Sequence, residues 1–335
     1  MSEHAPLDPL AILLVSGRTA ELRGSLIDAI QAMGYDADRD LAIIPGTAET
    51  VAADLDRVLA LEEIALAVIE LDGDDDPALV LDAVEPLVED EAAVLLGVLA
   101  ALGAAGFWTE FREGDAGTAR QLVAEIESAS LVVIADGAAA DAEALRALEG
   151  FVHNLNPGAA VLRLEALAGM TVPELAEAMA EAEATASGMD VATDEDDEPL
   201  AGEVDAWGFN SFTWSTETRL ERSRFMALFE NWPSEVLRAH GVARFADGAT
   251  VVLSVVRDTV AIDEYDGDDD GHQHGHDDHD HDHDHGDDHE VELDGDEDVD
   301  LGEDASEIAF VGAGMPVAAL VAWLDACQVE DQPAS

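Results

Sequence analysis

Eight of the chain's eleven histidines, His272, His274, His276, His279, His281, His283, His285 and His289, alternate with aspartates in one run, GHQHGHDDHDHDHDHGDDHE. Imidazole is the commonest transition-metal ligand, and aspartate adds hard oxygen donors and negative charge. A zinc ion takes about four ligands at roughly 2.0–2.1 Å from nitrogen or oxygen. A chain offering a ligand at nearly every second residue can wrap to supply them. Glycine and dense aspartate disfavour a fixed helix, so the run predicts several exchangeable sites and not one rigid cage. Zinc is the expected ion, with Ni, Co and Cu competing because flexible N/O sites select weakly. Binding should fade at acid pH as the imidazoles protonate. A catalytic metal is not expected, since nothing in the run orders a second shell. The bland alternative is a solvated spacer, and the concentration of histidine in one place argues against it.

A second set of residues lies at the other end of the chain. An apolar run ends in Ser16-Gly17-Arg18-Thr19-Ala20-Glu21-Leu22-Arg23-Gly24-Ser25, followed by helical periodicity. A phosphate-binding P-loop needs G-x-x-x-x-G-K-[ST], with glycines for backbone approach, lysine for phosphate and a hydroxyl for Mg²⁺. Gly17 is in place, but Leu22 replaces the second glycine, Arg23 the lysine and Gly24 the hydroxyl residue, with Ser25 next. Further on, Glu70 with Asp74, Asp75 and Asp76 could cradle a cation, although a solvent-facing acidic loop is the preferred reading in so acidic a chain.

These groups need a scaffold. The 335 residues carry a net charge of -62, yet 48% are hydrophobic, which argues for a folded protein with an acidic surface and against a disordered chain. All 14 basic residues are arginine. The pattern resembles proteins of salt-in halophilic archaea, where a screening length of about 3 Å tolerates such charge. No basic patch exists to neutralise phosphate, so nucleic acid is not an expected partner. Cys327 is the only cysteine, which excludes disulfides and cysteine-based zinc sites. The uncharged run Ala92–Trp108 falls short of the roughly 20 residues of a spanning helix. It reads as a strand and loop, so no membrane association is expected. With no secretory signal pattern, the expected location is the cytoplasm.

Residues 1–185 alternate apolar runs with helical patterns. Strands are expected at Leu10–Val15, Leu41–Ile44, Ala65–Leu71, Ala93–Leu99, Leu131–Ala135 and Ala160–Leu164. Helices are expected at Glu21–Met33, Thr47–Leu61, Gly117–Ser128 and Asp141–Leu155. Alternation of this kind predicts a doubly wound α/β domain with a mostly parallel sheet. An acidic linker, 186–204, follows. Residues 205–330 read as a small α+β domain: strands at GFNSFTWS, Val236–Ala246, Thr250–Val256 and Glu307–Val311, and helices at Thr218–Asn231 and Pro316–Cys327. An insertion at 263–306, almost free of apolar residues and expected to be disordered, interrupts it. Trp207, Trp214, Phe225, Phe229 and Trp232 are expected in its core, as is the Cys327 thiol. His240 should be packed or solvent-facing, and His153 a favourable charge near a helix end.

The segment Ile69-Glu70-Leu71-Asp72-Gly73-Asp74-Asp75-Asp76-Pro77 resembles the I-E-T-S-G-x-x-D-P segment of the CobW-type GTPases, with Glu70, Gly73, Asp76 and Pro77 matching. Leu131–Gly150 is similar to that family's strand and helix around its guanine-reading N-K-x-D. Gly208-Phe209-Asn210-Ser211-Phe212, Trp232-Pro233, Val236-Leu237-Arg238-Ala239-His240-Gly241 and Ile308-Ala309-Phe310-Val311-Gly312 resemble its second domain. The resemblance implies a P-loop-like α/β domain, a CobW C-terminal-like domain, a role in metal traffic and, often, a histidine-rich insertion where this one lies. The departures bear on mechanism. The N-K-x-D positions fall on Ala135, Asp136 and Ala138. The C-x-C-C metal motif would fall near Gly46–Thr50, where there is no cysteine, and the switch segment before it is missing. Phosphoryl transfer depends on positioning and charge stabilisation by these parts. GTP is therefore an unexpected ligand, and the reading is a pseudo-GTPase that holds or delivers a divalent metal to a client protein. The alternatives are a residual nucleotide cycle that gates metal transfer, or a non-catalytic subunit paired with an intact paralogue.

Overall fold

The computed structural model describes residues 9–33, 40–61, 63–73, 75, 77–90, 92–188, 204–265 and 305–329. In chain order the first part comprises β1 (Leu10–Ser16), α1 (Ala20–Ala32), β2 (Asp40–Gly46), α2 (Val51–Leu59), β3 (Ile64–Leu71), α3 (Pro77–Glu89) and β4 (Ala93–Gly103). It continues through α4 (Phe107–Glu113), α5 (Ala116–Glu127), β5 (Leu131–Ala135), α6 (Ala142–Leu155), β6 (Ala160–Arg163), α7 (Leu164–Leu167) and α8 (Val172–Gly188). The second part comprises β7 (Phe209–Thr216), α9 (Arg222–Leu228), β8 (Val236–Arg244), β9 (Thr250–Val256), β10 (Thr259–Glu264), β11 (Ser306–Ala313) and α10 (Val317–Asp325).

The six strands of the first part form a parallel sheet in the order β2-β3-β1-β4-β5-β6. Its strands are continuous apolar runs because both faces are covered. Leu13, Val15, Leu66, Val68, Leu99 and Leu131 meet α1 and α8 on one face. Ile12, Leu14, Ala67 and Ile69 meet α2 and α3 on the other, where Leu102, Val132 and Ile134 also pack against α4, α5 and α6. The expected strands and the doubly wound class are all present. Helix α3 was not among the expected helices: Pro86 in its interior removes a backbone donor and argues against a helix. The run Ala92–Trp108 holds β4 and then turns into α4, where a loop was expected.

The second sheet is antiparallel, in the order β10-β9-β8-β11-β7. One face carries α9 and α10 through Phe225, Val317, Leu320 and Leu324. The helix expected from Thr218 begins only at Arg222, because the Leu220 N–H is held by the Arg244 carbonyl and the Glu221 carboxylate caps the helix N-terminus. Strand β10 was not foreseen. Its hairpin turns on Arg257 at φ 59°, where sequence signals look for asparagine or glycine. Trp214 and Phe225 are buried in this core, with Phe229 and Trp232 partly buried against it. Trp207, expected there, instead lies over α6 of the first part, 40% exposed.

The two sheets share a core. Phe209, Leu237, Val256 and Val311 of the second pack with Phe107, Phe111, Phe151 and Val152 of the first. Polar contacts border it: Arg257 Nη1 donates to the carbonyls of Phe111 and Gly114 at 2.9 and 3.2 Å, and Asn154 Nδ2 donates to Asp205 at 2.7 Å. Residues 189–203 of the expected linker and 266–304 of the expected insertion lie outside the described residues.

Candidate functional site at the carboxyl edge of the parallel sheet

Strand β1 lies between β3 and β4, so successive connections leave its carboxyl end in opposite directions, the usual place for a ligand in such sheets. The chain leaves β1 through Gly17 and enters α1 at Thr19, whose hydroxyl accepts from the Leu22 N–H at 3.2 Å. The turn after β3 lies directly against this one. A Cβ on Gly73 would sit 2.6 Å from the Arg18 carbonyl oxygen, so the close approach requires glycine.

Arg23 fills the space between the two turns and is 6% exposed. Its Nε donates to Glu70 Oε1 and its Nη2 to Asp72 Oδ1, both at 3.1 Å, while Nη1 donates to the Gly17 carbonyl at 2.9 Å. The cation at the P-loop lysine position is thus held by two carboxylates and a carbonyl of its own chain. A phosphate would have to displace charge-assisted bonds and then sit beside those same carboxylates. The turn offers the Gly17 carbonyl to Arg23 where an anion cradle would offer N–H groups. The residues present therefore do not fit a nucleotide phosphate with its Mg²⁺. Ser25, one place beyond the hydroxyl position, donates to the Glu21 carbonyl of its own helix.

The other positions singled out in the sequence fall around this edge. Ala135 ends β5, and Asp136 follows in a left-handed conformation, φ 55°. Gly46 closes β2, and the Thr47 and Thr50 hydroxyls hydrogen-bond each other at 2.9 Å where the cysteine motif would stand. Asp75 accepts from the Asp72 N–H at 3.0 Å, forming a tight turn. Asp74 and Asp76 lie outside the described residues. Two single histidines lie among the described residues. His153 is in the last turn of α6 with its ring against Trp207, and His240 is half-exposed on β8 beside Glu127. Burial, and then Arg238, hold the His240 imidazole below its usual pKa. The Cys327 thiol is buried just past α10 and donates to the Trp323 carbonyl; burial pushes its pKa up.

One residue that sequence reasoning missed is Glu125. Helix α5 turns Thr118, Leu122, Glu125 and Ile126 inward, so a carboxyl stands on the face that periodicity marks as apolar. It is 3% exposed. Gln121 Nε2 donates to Oε1 at 3.4 Å, and Oε2 has no hydrogen-bond partner among the described residues. Desolvation raises the carboxyl to a pKa of about 7. Glu125 lines a cavity of about 340 Å³ with Asp75, Pro77, Gly117, Arg120 and Gln121.

The histidine run, His272 to His289, lies outside the described residues. The residues that bracket it do not. Strand β10 ends beside the start of β9, where the Tyr265 N–H donates to the Thr250 carbonyl, and Arg222 pairs with Glu264 and Asp247. Strand β11 begins at the same end, where Ser306 Oγ accepts from the Arg244 N–H. This is the end of the sheet opposite Phe209, Leu237 and Val256, which meet the first part. The seven residues of β9 separate the two ends by about 20 Å. Among the described residues, no three His, Cys, Asp or Glu side chains are grouped to hold a metal ion. No helix among them is long and apolar enough to cross a membrane.

Residues 209–328, which hold the antiparallel sheet, match the family model of the cobalamin synthesis protein cobW C-terminal domain. Among solved structures, the chain is similar to the Zn(II)-bound YjiA GTPase from E. coli at 15% identity and a TM-score of 0.41, covering 96% of this chain and 99% of that one. A Zn(II)-bound triple mutant of the YjiA GTPase gives 15% identity, a TM-score of 0.39 and the same coverage. No curated protein matches the sequence.

Proposed function

We propose that the chain is a metal-binding accessory protein that holds a divalent ion, zinc foremost, on the histidine run and passes it to a client protein. The observation that carries this reading is the placing of eight histidines between β10 and β11 of the part that matches the cobW C-terminal domain model. Histidine alternating with aspartate supplies imidazole and carboxylate ligands at a density no other segment approaches. Both attachment points lie at the sheet end away from the first part, so a client could reach the run without displacing the shared core.

In this reading the parallel-sheet part is a scaffold and not a motor. The saturated contacts of Arg23 with Glu70, Asp72 and Gly17 support that assignment and speak against a nucleotide cycle that gates transfer. Neither nucleic acid nor a membrane is a proposed partner, and the cytoplasm is the proposed location.

The test is equilibrium dialysis of untagged protein at molar salt, followed by elemental analysis. The intact chain should retain more than one zinc or nickel per molecule. Deleting 271–289 should remove most of that metal while leaving the melting temperature close to that of the parent. Unchanged stoichiometry in the deletion variant would sink the proposal.

A further inference from the structure

The cavity beside Glu125 has no part in the reading above. It opens between the turn after β3, which supplies Asp75 and Pro77, and helix α5, which supplies Gly117, Arg120, Gln121 and Glu125. A buried carboxyl oxygen without a hydrogen-bond partner is costly unless something completes it. The charges near Glu125 are already engaged. Arg18 pairs with Glu110 at 2.9 Å, and Arg23 is taken up by Glu70 and Asp72. Gln121 reaches only Oε1.

The opposite charge lies at another point of the same cavity. Arg120 is exposed, donates from Nε to the Ala116 carbonyl at 3.3 Å, and pairs with no carboxylate of the described residues. The cavity therefore offers a buried carboxyl with one unpartnered oxygen and an exposed guanidinium five residues apart on α5, at residues 125 and 120.

We propose that this cavity binds a small zwitterion of amino-acid size, its ammonium group on Glu125 and Asp75 and its carboxylate on Arg120. An ammonium has three donors, enough for Glu125 Oε2, Asp75 and the Gln121 carbonyl oxygen together. Its arrival drives the Glu125 proton to solvent and leaves a carboxylate paired with the ligand cation. The volume falls in the range of small-molecule sites. A bare divalent ion suits the cavity less well, because Arg120 repels added positive charge.

The experiment is isothermal titration of the full chain in molar KCl with glycine, β-alanine and γ-aminobutyrate, with ethylamine, acetate and MgCl₂ as separate arms. At least one amino acid should give a saturable signal, tighter than ethylamine or acetate by about tenfold or more. At pH 6, heats measured in buffers of different ionisation enthalpy should show proton release, and less of it at pH 8. Glu125→Gln keeps the shape of the protonated acid and should weaken binding by about tenfold or more. Arg120→Gln should abolish the preference for amino acids over ethylamine. The proposal is overturned if no amino acid binds, if ethylamine or MgCl₂ binds as tightly, or if Glu125→Gln leaves the affinity unchanged. Should Glu125→Gln fail to fold, the Arg120→Gln arm decides alone.

Discussion

Arg238 on β8 meets Glu127 at the end of α5 in a two-pronged pair: Nε to Oε1 at 2.7 Å and Nη2 to Oε2 at 3.1 Å. The remaining nitrogen, Nη1, donates to Ser254 Oγ at 2.7 Å, and Arg238 is 7% exposed. The bond joins helix α5 of the first part to the second sheet. Removing the carboxylate strands a buried guanidinium, which is far worse than never having had the pair. Glu127→Ala should therefore destabilise the chain by about 2–3 kcal/mol, toward the low side because the Glu127 side chain is 26% exposed. Denaturant unfolding at molar salt measures this. A loss below about 0.5 kcal/mol would show that the apolar contacts alone hold the two parts.

Arg23 stands in the same relation to Glu70 and Asp72 within the first part. Arg23→Ala should cost about 1–2 kcal/mol, from the lost link between the turns after β1 and β3 and the cavity left behind, since the carboxylates it leaves are open to solvent, Asp72 at 82%. Arg23→Lys restores the family residue type but not the fork that serves both acids and the Gly17 carbonyl. Neither the parent nor Arg23→Lys should give a saturable signal with labelled GTP. Micromolar binding by the parent would refute the scaffold assignment.

The strands of the parallel sheet were legible because each is a continuous apolar run, and a strand covered on both faces carries no competing pattern. Helix α3 was hidden by Pro86, and β10 by a hairpin turn built on Arg257 and Asp258 without the usual asparagine or glycine. The partners of Arg257 are distant in sequence: its side chain donates to the carbonyls of Phe111 and Gly114, and its N–H to the Leu237 carbonyl. No local signal could have revealed that. The degenerate P-loop was readable residue by residue, but the fate of Arg23 was not, since its partners lie 47 and 49 positions away. Glu125 was readable in principle from the period of α5, where a carboxyl breaks an otherwise apolar face.

Glu125 makes stability depend on pH in the direction opposite to most carboxylates. Burial raises its folded-state pKa to about 7 from 4.5, so the fold binds a proton the unfolded chain has released. Its contribution is complete below about pH 4.5 and is lost as pH rises through about 7. The shift caps the effect at about 3 kcal/mol. Glu125→Gln cannot titrate, so unfolding free energies of parent and variant should diverge across this window, the variant being relatively more stable at pH 8 than at pH 5. Parallel stability curves would show that the carboxyl is solvated in solution.

The junction between the two parts also depends on a missing side chain. A Cβ on Gly150 of α6 would lie 2.3 Å from Trp207 Cβ and 2.5 Å from its Cγ, so the indole rests directly on the helix backbone. Nearby, the Asp205 carboxylate accepts from the N–H groups of Trp207 and Phe209 at 2.8 and 2.9 Å and from Asn154 Nδ2. These bonds fix the chain just before β7, so Trp207 cannot retreat without breaking them. Alanine in a helix interior normally stabilises relative to glycine by up to about 1 kcal/mol. Here overpacking should exceed that gain, and Gly150→Ala should be destabilising by about 1–2 kcal/mol net. The double variant Gly150→Ala with Trp207→Gly should recover part of the loss, because the nearest obstacles are the Trp207 Cβ and Cγ, and only glycine removes both. Additive losses in the two single variants, read from thermal unfolding, would rule out the contact as the cause.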